Sequence, residues 1–103
     1  MNIIVLYIGE KIASTVYDHL YSFKNYSRYN IFYIDILKDE INLEILDKFD
    51  VIVIHYTISI FSDNRCPSWM RVLLRNTSAK KVIFIQDEYN LKSLKEKING
   101  CKI

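Results

Sequence analysis

Val51-Ile52-Val53-Ile54-His55-Tyr56-Thr57 is an apolar run of strand length that stops abruptly in polar residues, and Val82-Ile83-Phe84-Ile85-Gln86-Asp87-Glu88-Tyr89 repeats the arrangement. Runs that are apolar at every position, rather than at alternate ones, belong to strands covered on both faces, as in a parallel sheet between helices. Open sheets of that kind bind ligands outside the carboxyl ends of their strands, so both polar clusters fall on the edge where chemistry is expected.

Working outward, residues 2–8 form a first strand, and Gly9-Glu10-Lys11 turns the chain. Ser14 or Thr15 can cap a following helix, whose apolar face is built by Val16, Leu20 and Phe23 and which stops near residues 25–27. Residues 31–36 form a second strand. Ile41, Leu43, Ile45 and Leu46 make a short helix before the third strand at Val51. Residues 57–69 are the longest irregular connection, carrying Ser62-Asp63-Asn64 and the single proline, Pro67, after which Trp69, Val72 and Leu73 predict another helix. Strand four occupies residues 81–86, and Leu91, Leu94 and Ile98 space a last helix with Asn99-Gly100 as its stop.

Strands alternating with helices predict an α/β domain. Right-handed crossovers then favour four parallel strands in the order 2-1-3-4, with helices on both faces, a three-layer Rossmann-like or flavodoxin-like sheet. Strand one meets strand three at the centre, and Gly9, His55 and Gln86 share the rim. With 103 residues, half of them apolar, residues 1–103 make one domain with a real core. Four strands are few for a doubly wound sheet, so the expectation includes an N-terminal part of a larger protein, or an edge completed by a partner.

Lys and Arg number 14 against 12 acidic residues, a net charge of +2. That falls short of the basic footprint of nucleic-acid binding, and no nucleic-acid partner is expected. Met1 leads straight into a strand with no basic leader, and no apolar run reaches about 18 residues, so no transmembrane segment and a cytoplasmic location are expected. Cys66 and Cys101 lack CxxC spacing and a neighbouring histidine pair, which indicates neither zinc nor a redox motif; thiols rather than a disulfide are expected.

Cofactor motifs fail in turn. Asp35 could serve as the acid of a dinucleotide site, but Gly9 stands without the second and third glycines that let backbone approach a pyrophosphate. No phosphate loop occurs, and a receiver-type site would need an acid where strand three presents His55. The candidate catalytic groups are therefore His55, as a general base, with Asp87 or Glu88 across the adjacent strand. A histidine that only shapes its loop, and acids that only cap the next helix, are the structural alternatives. His19, inside the first helix, reads as a surface or half-buried helix residue. The substrate-binding candidates are Gly9, Glu10, Ser14, Thr15, Tyr56, Thr57, Gln86 and Tyr89; no metal ligands are assigned.

The opening strand with Gly9, Ser14-Thr15-Val16 through Asp18-His19-Leu20, Phe49 through Tyr56, and Val82 through Tyr89 together resemble the amino-terminal region of bacterial glycosyltransferase-like proteins. Such proteins have the GT-B architecture, two Rossmann-like domains facing a cleft. The resemblance covers most of this chain and is strongest at His55-Tyr56 and Gln86-Asp87-Glu88-Tyr89. It implies an acceptor-side domain for a sugar or glycan, inactive alone, with no cofactor in this chain and a nucleotide sugar held by a second domain. Gly9 would let the first loop approach the ligand, His55 would be a base or acceptor contact, and Asp87, Glu88 and Tyr89 would shape the cleft floor. Two other classes stay open: a stand-alone flavodoxin-like binding or regulatory module, as a monomer or a homodimer, and a small hydrolase or nucleoside-processing enzyme using His55 with Asp87 or Glu88.

Overall fold

The computed structural model describes residues 1–9, 14–58, 66–84, 96 and 98–103. Its elements follow in the order β1 (Asn2–Tyr7), α1 (Ser14–Tyr26), β2 (Asn30–Asp35), α2 (Leu43–Asp47), β3 (Val51–Ile54), α3 (Ser68–Asn76) and β4 (Lys80–Ile83). All three strand pairs are parallel and the sheet order is β2-β1-β3-β4, the arrangement predicted by the alternating pattern and right-handed crossovers. Ile3 to Leu6 of β1 pair with Ile31 to Ile34 on one side and with Val51 to Ile54 on the other, so the two central strands end level at the carboxyl rim.

Two apolar layers hold the sheet. On one face Ile4, Leu6, Ile52 and Ile54 pack with Leu46 of α2 and Met70 and Leu74 of α3. On the other, Val5 and Val53 pack with Leu20, Val16 and Phe23 of α1. The period of two along β1 and β3 divides their β-branched residues between these layers. Cys66 and Cys101 are buried as thiols in the first layer.

Local chemistry explains the element ends. Asn42 caps α2, its Oδ1 accepting from Ile45 N–H at 2.9 Å. Pro67 precedes α3, and its carbonyl accepts from Met70 and Arg71 N–H. Asp47 Oδ1 accepts from Thr77 Oγ1–H at 2.7 Å and Ser78 N–H at 3.0 Å, tying the end of α2 to the turn before β4. These bonds lower the Asp47 pKa, Thr77 first.

Several boundaries depart from expectation. α1 begins at Ser14, so Ser14 and Thr15 lie in its first turn instead of capping it. The last helix ends at Gly100 as expected, but the left-handed residue after it is Lys102, with φ 56°, while Ile103 N–H reaches Ile98 carbonyl and Lys102 N–H reaches Asn99 carbonyl. That is the paired bonding of a left-handed C-terminal cap, with Ile98 and Ile103 both packed on the core. Unbroken hydrophobicity also suggested two covered faces for β4, yet Val82 is 45% exposed on the α1 side. α1 lies over β1 and its neighbours, and among the described residues nothing covers that part of β4. The turn at Ser62-Asp63-Asn64 and the helix start at Leu91 lie outside the described residues. No helix among the described residues is long and apolar enough to cross a membrane.

Candidate functional site

β3 ends at Ile54, and the period of two that buries Val51 and Val53 beneath α1 carries His55 to the same face. His55 is fully buried, its N–H donating to Leu6 carbonyl at 3.0 Å. Its ring engages through both nitrogens. Nδ1 lies 3.2 Å from Thr57 N, which donates to it, and 3.1 Å from Thr57 Oγ1. Nε2 lies 2.9 Å from Nδ1 of His19 on α1.

Burial, and then the nearby His19, lower the His55 pKa from 6.5 to about 4. At neutral pH the ring is therefore uncharged. Aromatic rings complete the surroundings. The Tyr56 ring centroid is 4.1 Å from that of His55 and 5.2 Å from that of His19, while Phe23 and Phe84 stand edge-on to His19 at 5.6 and 5.9 Å.

Sequence reasoning set His19 aside, yet the structure joins it to His55. A signal existed: position 19 is three residues after Val16 and four before Phe23, on the same helical face that Val16, Leu20 and Phe23 define. Thr57 acts as the hinge of the arrangement, since its Oγ1 also accepts from Ile8 N–H at 3.0 Å and so joins the ends of β1 and β3.

The neighbouring part of the rim is built on Asp35. Its Oδ2 accepts from Gly9 N–H at 3.1 Å and its Oδ1 from Leu37 N–H at 3.0 Å. The carboxylate considered for a dinucleotide ribose is thus 5% exposed and holds the loop after β1 in place. A Cβ at Gly9 would stand 3.0 Å from Asp35 Oδ2 and 3.1 Å from Tyr7 Cε2, tighter than ordinary contact, so any larger residue here needs those side chains to shift. Tyr17 O–H reaches Gly9 carbonyl at 3.4 Å. Burial, followed by the Asp35 carboxylate, raises the Tyr7 pKa.

Of the predicted site residues, the structure brings Gly9, His55, Tyr56 and Thr57 to the carboxyl rim, with Ser14 and Thr15 exposed at the start of α1. Glu10, Gln86, Asp87, Glu88 and Tyr89 lie outside the described residues. Among the described residues no group of three or more His, Cys, Asp or Glu is placed to hold a metal ion. A groove of about 320 Å³ lies on the other side of the sheet, bordered by Ser68, Arg71, Arg75 and Cys101, away from the histidines.

The fold and this rim define an α/β protein of Rossmann-like or flavodoxin-like architecture. Comparison with protein-family models, characterised proteins and solved structures gave no match.

Proposed function

We propose that this chain is the acceptor-side domain of a GT-B-like bacterial glycosyltransferase, without turnover of its own, in which the carboxyl rim receives a sugar or glycan. The observation that carries the reading is the composition of the rim. Half-buried aromatic faces at Tyr56 and Phe84 lie beside the imidazole of His19. Such surfaces suit a ring with apolar C–H faces and hydroxyls. A nucleotide phosphate would instead need a glycine-rich turn, and after β1 the sequence provides Gly9 alone.

Two further observations support it. β4 has an exposed Val82 and pairs on one side only among the described residues, as suits a sheet that continues into more structure or meets a partner. His55 has both nitrogens engaged and weak basicity, which weighs against a hydrolase that uses it directly as its base.

The test has two parts. An antibody against this domain should detect in source cells a polypeptide several times heavier than 12.3 kDa. A native species of that smaller mass sinks the two-domain reading. Amide NMR with methyl pyranosides should then shift Gly9, Tyr56 and Thr57, whereas a nucleotide sugar should leave this isolated domain unperturbed.

A further inference from the structure

We propose that His19 is the ring that meets the ligand, as a hydrogen-bond donor through Nε2–H, and that Thr57 imposes this role through His55. The sugar class of the ligand rests on the acceptor-domain reading; the direction of the hydrogen-bond chain does not.

Backbone amides only donate. Thr57 N–H points at His55 Nδ1 from 3.2 Å, so that nitrogen carries the lone pair. The neutral ring then bears its proton on Nε2, 2.9 Å from His19 Nδ1. His19 Nδ1 must accept, and a neutral His19 bears its own proton on Nε2. Reversing the chain would set a His55 Nδ1–H against the Thr57 amide, two donors facing one another.

A second amide positions the hydroxyl beside it. Ile8 N–H donates to Thr57 Oγ1 at 3.0 Å, holding that oxygen 3.1 Å from His55 Nδ1, where its proton can point at the same lone pair. The Thr57 amide at the end of β3 thus sets the tautomers of two rings, the second of them on α1.

His19 Nε2 has no partner among the described residues. No buried side-chain nitrogen or oxygen among them lacks one, so this atom is reached by solvent. It emerges beside Tyr56 and Phe84. The matching ligand group is an uncharged acceptor oxygen, a sugar hydroxyl whose ring rests on an aromatic face. The same chemistry defines what the pair does not do. An Nε2–H has no lone pair to bind a metal ion or to take a hydroxyl proton, so His19 orients the acceptor, His55 positions His19, and the base lies elsewhere in the cleft.

Long-range proton–nitrogen NMR of the histidine-labelled chain at neutral pH reads the tautomers directly. Protonated Nε2 and unprotonated Nδ1 are expected in both rings; a proton on Nδ1 of either ring overturns the proposal without reference to any ligand. Titration with methyl pyranosides should then move the His19 Nε2–H resonance saturably. His19→Phe, with folding verified from its amide spectrum, should weaken that binding about tenfold, the loss of one hydrogen bond. If glycosides shift Gly9, Tyr56 and Thr57 but leave the His19 ring still, the inference fails while the acceptor reading stands. If the tautomers are as stated and no glycoside perturbs any resonance, the acceptor reading fails and takes the ligand named here with it.

Discussion

Acidification should weaken this fold through one side chain. Protonating His55 places a second N–H on Nδ1, where Thr57 N–H already points, in a site that is 0% exposed. The unfolded chain meets no such obstacle, so its histidine titrates near 6.5 while the folded one waits until about 4. Between these values the unfolded state binds more protons, and stability must therefore fall as pH falls. It is fully present above 6.5 and lost progressively towards 4. At about 1.4 kcal/mol per pKa unit the whole interval is worth about 3 kcal/mol, and the part between neutrality and about pH 5 about 2 kcal/mol. That is a large share of the 5–15 kcal/mol or so typical of a domain. Urea denaturation followed by circular dichroism over this range should give that slope for the native chain, and a flatter one for His55→Gln, whose side chain does not titrate. The absolute stability of the variant is immaterial; the difference in slope carries the argument. Parallel lines for the two proteins, or a native chain that gains stability towards acid, would refute the reasoning.

The remaining predictions concern the frame around the rim. Gly9→Ala should cost about 1–3 kcal/mol, because the added carbon crowds Asp35 and Tyr7; an unchanged urea midpoint would contradict the close approach. Leu74→Ala, at a fully buried α3 position, should lose about 2–5 kcal/mol in the same assay. Asn42→Ala removes the cap of α2 and should cost about 1 kcal/mol, with amide exchange at Ile45 accelerated more than in the sheet.

How far the sequence could be read depended on the range of the interactions involved. The parallel sheet was legible because unbroken runs such as Ile3 to Leu6 and Val51 to Ile54 satisfy a local rule, and handedness leaves few ways to connect them. The exposure of Val82 on β4 was not legible, because what covers an edge strand depends on its neighbours and not on its own residues. The end of the last helix at Asn99-Gly100 was legible, but the left-handed residue that closes it is Lys102, between Ile98 and Ile103, which both pack on the core.

At the rim, His55 could be found from sequence as a polar residue ending an apolar strand, together with Gly9, Tyr56 and Thr57. Its partner could not be assigned in the same way. Helical spacing puts His19 on the inward face of α1, but only the docking of α1 on the sheet decides that this ring meets His55 at 2.9 Å and not a neighbouring residue. Likewise Asp35 reads as a free acid until the end of β2 is laid beside Gly9, where its carboxylate is consumed by backbone amides. The sequence by itself therefore determined the strands, their order and the edge at which polar groups collect, since periodicity and chain chirality act over a few residues. Tertiary structure alone decided protonation, tautomer and exposure at that edge, because those depend on distances of about 3 Å between groups dozens of residues apart in the chain.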